Sequence, residues 1–289
     1  MNSLPFLFVF SPAVLATPLE VPPLAQGQPT AGKRIALTPP EYQDTQVHHI
    51  LYLPTEWAPD WKARKKTYPL IVEFTGNYHP PSGSTGEIKD AALGYGLSGG
   101  KAIWLTLPYI SKDGSKNEVT WWGDTQATID YALKNVPRTC QKFGADPDRV
   151  ILCGFSRGAI AVSYLGLHND EISKLWSGFV AHDHFDGVKE WRKPWGSPLD
   201  KYQKEATQRL ARLKGRPLFI CQQNSTKATR DFLTDRVPLT NITFLDVPVS
   251  QIFPAFPNPI AKHPHTDRWP LIHSPSRDSA WEWFKKTTK

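Results

Sequence analysis

The chain has 289 residues, of which 40% are hydrophobic and 21% are charged, and its formal net charge is +7. This length suits one large domain built around a single hydrophobic core. The basic excess is scattered, with its densest run at 64–66. The basic stripe with interleaved aromatic residues that is typical of nucleic-acid binding is absent, so we expect no nucleic-acid partner.

Residues 1–16 contain an apolar stretch that ends in Val14-Leu15-Ala16. At about a dozen residues it is too short to span a bilayer, which needs about 20, and stable membrane insertion is not expected. The stretch is typical of a cleavable signal peptide, although no Lys or Arg precedes its apolar core. We therefore expect a secreted or periplasmic protein. A disordered tail and an uncleaved interfacial anchor are the alternatives.

Residues 17–40 are rich in Pro, Gln and Gly, which predicts a linker and places the folded domain at 41–289. Beyond it, apolar runs typical of strands alternate with segments of helical spacing. We predict strands at 47–54, 68–74, 101–108, 149–153, 175–181, 216–221 and 242–247, and helices at 124–143, 159–165, 202–213, 226–233 and 278–286. Because the strands are apolar rather than alternating, they indicate the α/β class: one domain with a mostly parallel sheet and helices on both faces.

Two features exclude other kinds of site. The glycine-rich segment 93–100 lacks the Lys-Ser/Thr ending of a P-loop and leads into a strand, so nucleotide binding is not expected. Cys140, Cys153 and Cys221 cannot all pair with one another and have no metal-type spacing. Cys153 and Cys221 lie in apolar runs, which predicts buried thiols.

The segment 154–158 reads Gly-Phe-Ser-Arg-Gly and lies between a predicted strand and a predicted helix. A serine at the apex of such a strand-turn-helix is typical of a nucleophile elbow, which exposes a reactive hydroxyl at the edge of a sheet. Side chains at Gly154 or Gly158 would strike the neighbouring strand or helix. Ser156 is therefore the candidate nucleophile. The alternative is a plain strand-to-helix connection with an incidental serine.

A serine hydroxyl becomes a good nucleophile when a neighbouring base takes its proton, and the elbow contains no base. The loop after the last predicted strand holds several histidines. We expect His265 to be the base, with His273 and His263 as alternatives. Trp269 follows closely in the sequence, and we expect it to shield the histidine from water and to contact substrate.

A catalytic triad also needs a carboxylate that orients the imidazole and stabilises its cation. The segment 222–226, after the strand where this acid is commonly found, contains no acidic residue. We therefore expect Asp186, which precedes Gly187 in a turn that would direct it inward. Asp183 and Asp231 are the alternatives.

The oxyanion of the reaction needs at least two hydrogen-bond donors. We expect the backbone amide of Arg157, directly after the serine, and the amide of Asn77, which Gly76 allows to approach the substrate. Trp121 and Trp122 precede a helix and so are expected on the same rim, where they would stack on sugar rings or aromatic acyl groups. Core packing is the alternative for this pair.

The elbow at 154–158, the loop at 75–77 and the late His265 together resemble the α/β-hydrolase superfamily. Within it, the chain is similar to secreted esterases grouped with polyhydroxybutyrate depolymerases, feruloyl esterases and acetylxylan esterases. The segment 144–150, which leads into the elbow, and the segment 265–270 are similar to the corresponding parts of that group. Two departures are the missing acid and a Thr-Gly pair in place of the usual His-Gly before the oxyanion loop.

The resemblance implies the α/β-hydrolase fold and a serine esterase that forms an acyl-serine intermediate with a Ser-His-Asp triad. Water is the final acceptor, and no cofactor or metal is required. The implied substrate is a small-molecule or polysaccharide ester, in particular an acylated carbohydrate. The sequence leaves the oligomeric state open.

Three other interpretations stay open. A peptidase would use the same chemistry, although no lid-sized extra domain that would select peptides is recognisable in the sequence. A catalytically inactive glycan-binding protein on the same scaffold would account for the missing acid. A metal-dependent hydrolase would hold zinc through His182, His184 and Asp186, or through His263, His265 and Asp267.

Overall fold

The computed structural model describes residues 17–191 and 195–289, so the predicted signal peptide at 1–16 lies outside the described residues. The strands are β1 (Leu24–Ala25), β2 (Arg34–Leu37), β3 (His49–Tyr52), β4 (Tyr68–Phe74), β5 (Ile103–Leu107), β6 (Tyr109–Ile110), β7 (Asn117–Glu118), β8 (Ala145–Phe155), β9 (Gly178–His182), β10 (Leu218–Gln223) and β11 (Ile242–Val247). Nine of them form one sheet in the order β1-β2-β3-β5-β4-β8-β9-β10-β11, and β6 pairs with β7 separately. In the large sheet, β3 runs antiparallel to β2 and β5, and all other neighbours are parallel. The prediction of a mostly parallel sheet is confirmed.

The helices of the described residues are α1 (Leu93–Ser98), α2 (Thr125–Phe143), α3 (Arg157–Tyr164), α4 (Asp170–Ser173), α5 (Leu199–Leu210), α6 (Lys227–Thr234), α7 (Val249–Ile252) and α8 (Pro275–Thr287). The longest, α2, begins where the sequence predicts it, because the carboxylate of Asp124 accepts a hydrogen bond of 2.8 Å from the amide of Ala127. It ends at Gly144, which adopts a φ of 77°. Within the same part of the chain, no helix has the length and apolar character needed to cross a bilayer.

The sheet is packed on both faces, because neighbouring residues of a strand point in opposite directions. In β8, Leu152 belongs to a core cluster that includes residues of α2 and α3. Its neighbours Ile151 and Cys153 belong to a second cluster, with residues of α1 and α8. Burial on both faces explains why the strands are apolar throughout. The thiols of Cys153 and Cys221 are free and buried, as predicted.

The prediction of a linker at 17–40 is wrong. The short strands β1 and β2 extend the large sheet at its edge, where β2 pairs with β3. Arg34 and Ile35 are buried, and the Arg34 guanidinium donates hydrogen bonds to the carbonyls of Pro22 and Lys89. A short edge strand is held in place by its partner strand and a few contacts, and it does not need a long apolar run. Its composition therefore resembles that of a linker.

The carboxyl ends of β4, β8 and β9 lie side by side at one edge of the sheet. The register pairs Phe74 with Gly154 and Phe155 with His182. The residues that directly follow these strands therefore meet at this edge, which is where open α/β sheets bind ligands.

Candidate active site

The turn between β8 and α3 presents Ser156 in a strained conformation. Its φ is 55° and its ψ is −116°, in a region that side-chain-bearing residues rarely adopt. A Cβ at Gly154 would lie 2.1 Å from the carbonyl oxygen of Gly158, and a Cβ at Gly158 would lie 1.9 Å from the carbonyl oxygen of Phe74. Both positions therefore exclude a side chain. The Ser156 amide donates a hydrogen bond of 2.9 Å to the carbonyl of His182, which connects the turn to β9.

A histidine and a carboxylate meet beside this turn. The Nδ1 atom of His265 lies 2.8 Å from Oδ2 of Asp183, within the distance of a hydrogen bond, although the two groups are not aligned as one in this structure. The ring of His265 packs on Phe155, with 4.6 Å between the ring centroids, and this contact places the imidazole next to the serine turn. Nε2 of His265 and Oγ of Ser156 form no hydrogen bond with each other in this structure. Such bonds are often long in substrate-free enzymes and tighten when substrate binds.

Asp183 is held firmly as the partner of His265. Its side chain is 4% exposed, and its backbone has a φ of 75°. Its amide donates to the carbonyl of Cys221, and its Oδ1 accepts a hydrogen bond of 2.7 Å from the amide of Gln223. Burial raises the pKa of the carboxyl, but the neighbouring His182 and His265 outweigh burial and lower it to about 2. The group is therefore ionised at neutral pH and suited to stabilise an imidazolium.

The structure places Asp186 away from His265, and the carboxylate beside His265 is Asp183, the first alternative. The Asp186 side chain is 0% exposed and forms a two-point ion pair with Arg209 of α5, with distances of 2.8 and 3.1 Å. Asp231, the other alternative, lies on the exposed side of α6 and pairs with Lys227. The two acids differ in their distance from the end of β9. Asp183 directly follows the strand, whereas Asp186 lies three residues farther into the turn.

The two alternative histidines do not reach the serine turn. His273 lies just before α8, where its Nε2 is 3.5 Å from Asp278, and its side chain is mostly exposed. His263 accepts a hydrogen bond of 3.0 Å from the backbone amide of His265. It therefore helps to shape the loop that carries His265.

The loop that carries Asn77, one of the two predicted oxyanion donors, passes beside the serine turn. A Cβ at Gly76 would lie 3.6 Å from Cβ of Ser156, so the loop after β4 passes directly beside the serine. The amides of Asn77 and Arg157 donate no hydrogen bond to any other described residue. The Asn77 side chain holds the loop open, because its Oδ1 accepts a hydrogen bond of 2.7 Å from the amide of Trp121.

The side chain of Arg157 is a part of the site that the sequence analysis missed. Its guanidinium is buried and donates hydrogen bonds to the carbonyls of Gly76 and Trp121. Its carbon Cζ lies 3.9 Å from the ring centroid of Tyr109. Burial lowers the pKa of this guanidinium to about 10, so it stays cationic at neutral pH. A buried arginine therefore holds the oxyanion loop and the tryptophan segment together.

The tryptophans expected to contact substrate divide into two kinds. Trp121 is half-buried, and its ring lies 5.8 Å from that of Trp191. Trp122 is only 6% exposed and packs against Tyr164. Both nevertheless border a cavity of about 550 Å³ on the protein surface. The prediction for Trp269 is wrong, because its side chain is 0% exposed and belongs to the second core cluster.

A second cavity, of about 470 Å³, opens beside His265 and Phe155. Most of its wall is polar, with hydroxyls such as Ser82, Ser84 and Thr85, the cations Lys262 and Arg268, and the carboxylates Glu87, Asp90 and Asp267. Such a lining provides many donors and acceptors beside apolar side chains such as Phe155 and Ile260. It therefore suits a ligand rich in hydroxyl groups.

The alternative metal arrangements are not found among the described residues, where no three His, Cys, Asp or Glu side chains are grouped so that they could hold a metal ion. Both ring nitrogens of His182 are engaged by backbone carbonyls. His184 lies between the rings of His265 and Trp191. Burial lowers the pKa of His184 to about 3, so its ring is neutral.

No family model and no curated protein matches the sequence. Solved structures do match. A ferulic acid esterase is 14% identical with a TM-score of 0.50, over 88% of this chain and 96% of the other. The feruloyl esterase module from Clostridium thermocellum is 13% identical with a TM-score of 0.50, and the match covers 81% of this chain and 88% of the other. An α/β-hydrolase enzyme from a Medee basin deep-sea metagenome library is 16% identical with a TM-score of 0.51, and the match covers 85% of this chain and 94% of the other.

These similarities define the fold. The chain has the α/β-hydrolase fold, as the resemblance of its motifs implied.

Proposed function

We propose that this protein is a serine esterase that hydrolyses a carboxylic ester of an acylated carbohydrate. The observation that supports it most is the contact of 2.8 Å between Nδ1 of His265 and Oδ2 of Asp183, beside the turn that presents Ser156. An imidazole oriented in this way has its other nitrogen available as a general base. In this proposal Asp183 takes the place of the carboxylate that is missing at the common position, one strand closer to the serine, which argues against an inactive scaffold.

In the proposed first half-reaction, Oγ of Ser156 attacks the ester carbonyl carbon while Nε2 of His265 takes the hydroxyl proton. The tetrahedral oxyanion accepts hydrogen bonds from the amides of Arg157 and Asn77. The bond to the alcohol oxygen then breaks, and the alcohol leaves with the proton from His265. Asp183 stays ionised and stabilises the imidazolium. An acyl-serine remains.

Water completes the proposed cycle. His265 takes a proton from the water as its oxygen attacks the acyl carbon, and the oxyanion again faces the two amides. The acid is released when the bond to Oγ breaks, and Ser156 regains the proton from His265. The ring must approach Oγ more closely during the reaction than it does in this substrate-free structure.

The substrate class is inferred from the surfaces around the serine turn. The cavity beside His265 is lined mainly by polar side chains, which suits the hydroxyl groups of a sugar. At the cavity of about 550 Å³, the half-buried Trp121 offers an aromatic face on which a sugar or an aromatic acyl group can stack. We therefore propose an acylated carbohydrate, and acetyl, feruloyl and methyl-glucuronoyl esters are the panel with which to test it.

The proposal is tested by labelling the purified protein with a fluorophosphonate, which reacts with activated serines. We expect labelling at Ser156 and hydrolysis of at least one ester of the panel, with both lost in Ser156→Ala. Ser279→Ala is the matched control, because Ser279 lies exposed on α8 and bonds only to the carbonyl of Pro275. Labelling or turnover that persists in Ser156→Ala would refute the proposal.

A further inference from the structure

His182, the last residue of β9, is fully buried and has a carbonyl oxygen against each of its ring nitrogens. Nδ1 lies 2.9 Å from the carbonyl oxygen of Cys221, and Nε2 lies 2.9 Å from the carbonyl oxygen of Thr266. A carbonyl oxygen only accepts hydrogen bonds, and a neutral imidazole carries a single N–H donor. Both contacts are hydrogen bonds only if both nitrogens carry a proton, so the geometry favours an imidazolium.

The surroundings of His182 supply negative charge to balance this cation. Oδ1 of Asp183 lies 3.7 Å from Nδ1. The other titratable groups that face the ring are His184, Cys221 of β10 and Asp267 of the loop. Burial disfavours the charged ring, but Asp183 and the contact with Cys221 outweigh burial and raise the pKa of His182 to about 10.

His182 also contacts each segment that carries a member of the proposed triad. Its backbone carbonyl accepts the hydrogen bond from the amide of Ser156, and Asp183 follows it directly in the chain. Its ring donates to the carbonyl of Thr266, the residue after His265. One residue thus joins the serine turn, the acid and the loop of the base.

The loop that carries His265 depends on such contacts, because residues 254–268 contain neither helix nor strand. A second contact to the rest of the fold is the hydrogen bond of 3.0 Å from the amide of Ala92 to Asp267. Loops without regular structure are held in place by contacts of this kind and lose their order when they are removed.

Building on the proposed esterase function, we propose that His182 is a positioning residue: a buried imidazolium that holds the loop of His265 against the sheet edge that carries Asp183 and Ser156. It does not touch the reacting atoms. Its charge keeps the neighbouring carboxylate ionised, and its two hydrogen bonds fix the distance between that carboxylate and the base.

The protonation state is tested directly by ¹⁵N NMR of wild-type protein labelled at the histidine rings. We expect His182 to show a proton on both ring nitrogens at pH 7 and at pH 8.5. His49 is the matched control, since it is also buried, makes a single hydrogen bond of 2.8 Å to Tyr131, and has a pKa that burial lowers to about 3. A His182 ring with only one proton at pH 7 would overturn the proposal. This measurement does not depend on any enzymatic activity.

The positioning role is tested with His182→Phe, which fills the space of the ring without its donors, and with His49→Phe as the control. Hydrogen exchange followed by mass spectrometry should be at least tenfold faster at 262–268 in His182→Phe only. With an ester substrate, kcat should fall at least tenfold and KM should change less than threefold. Unchanged exchange of the loop would overturn the positioning role even if the protein proved to be no esterase.

His182→Gln keeps one donor nitrogen and serves if His182→Phe does not fold. We expect its loop exchange to be faster and its kcat to be lower than those of the wild type. Loop exchange equal to that of the wild type in this variant would contradict the requirement for two donors.

Discussion

The guanidinium of Arg157 donates a hydrogen bond of 2.9 Å from Nη2 to the carbonyl oxygen of Gly76, a residue 81 positions away in the chain. Arg157 follows the serine directly, whereas Gly76 lies in the loop that carries the second proposed oxyanion donor, Asn77. The residue that contributes one proposed donor through its backbone therefore holds the other through its side chain. The two segments that carry the proposed donors are therefore directly connected.

Arg157→Met should weaken both stability and activity. The substitution leaves the carbonyls of Gly76 and Trp121 buried without their donor, which costs about 1–3 kcal/mol for each group left unpaired. We expect the free energy of unfolding to fall by about 2–4 kcal/mol in urea titrations. The kcat for an ester should fall about 10- to 100-fold, because the position of Asn77 is no longer fixed.

Arg157→Lys tests whether the positive charge of Arg157 or the directions of its two hydrogen bonds matter for activity. A lysine retains the cation but cannot donate to two carbonyls in the fixed directions of a guanidinium. If only the charge matters, kcat should recover in this variant. We expect recovery of less than half of the lost kcat, and full recovery would contradict the role of the two directed hydrogen bonds.

Asp183→Asn should mainly lower activity, whereas Asp186→Asn should mainly lower stability. Asp183→Asn removes the carboxylate beside His265, and loss of such an acid lowers kcat by about 10³–10⁴-fold. Asp186→Asn breaks a buried ion pair with Arg209, and the uncompensated charge costs about 3–5 kcal/mol of stability. The measurements are kcat at saturating ester and unfolding in urea.

Asp186→Asn serves as the control for the loss of kcat in Asp183→Asn. Asp186→Asn that remains folded at low temperature should retain kcat within about threefold of the wild type, since its side chain does not contact His265. A 10³-fold loss of kcat in folded Asp186→Asn, with Asp183→Asn active, would restore the first assignment of the acid.

The parts of this fold that the sequence predicts well are those set by local contacts or by burial on two faces. The strand predicted at 68–74 coincides with β4, which lies between β5 and β8 in the sheet and is buried at nearly every residue. The helix at 124–143 is marked by its N-cap, and the turn at 154–158 is marked by two glycines that exclude a Cβ. Each of these signals acts within a few residues.

What the sequence did not predict depends on contacts between distant segments. Asp183 and Asp186 are both acidic residues in one turn, and only the end of β9 and the position of Arg209 separate their roles. Trp269 follows His265 in the loop, yet its side chain enters the core. Arg157 is an ordinary charged residue in the motif until Gly76 and Trp121 present their carbonyls to it. No pattern within one segment contains this information.

Trp121→Ala should affect substrate binding and leave the fold nearly unchanged. Trp121 is half-buried at the rim of the cavity of about 550 Å³, and its backbone contacts with Asn77 and Arg157 persist in the variant. Loss of an aromatic stacking surface costs about 1–2 kcal/mol, so we expect KM for a carbohydrate ester to rise about 5- to 30-fold with a smaller change in kcat.

Trp269→Ala provides the contrast for this measurement. Removal of a fully buried tryptophan costs about 3–5 kcal/mol, so its effect should appear in the unfolding free energy rather than in KM of the folded protein. Equal KM values for the wild type and Trp121→Ala across the ester panel would place the sugar elsewhere, in the cavity beside His265.

Glu73→Gln should remove a pH dependence of stability. Glu73 is fully buried in β4, where Oε2 accepts hydrogen bonds from the amide of Gly94 and the indole of Trp104, and Oε1 has no partner among the described residues. Burial and the nearby Asp267 raise its pKa to about 8. The folded state therefore holds a proton that the unfolded chain releases near its ordinary value of 4.5.

The stabilisation linked to this proton is complete below about pH 4.5 and is lost as the pH rises through about 8. Wild-type stability should accordingly decline between these values, with Glu73 contributing at most about 1.4 kcal/mol per pH unit. The neutral amide of Glu73→Gln does not titrate, so urea unfolding at pH 5, 6, 7 and 8 should show a smaller decline for this variant. Parallel profiles for the two proteins would mean that Glu73 is already ionised in the folded state at pH 5, with its charge balanced by the buried groups around it.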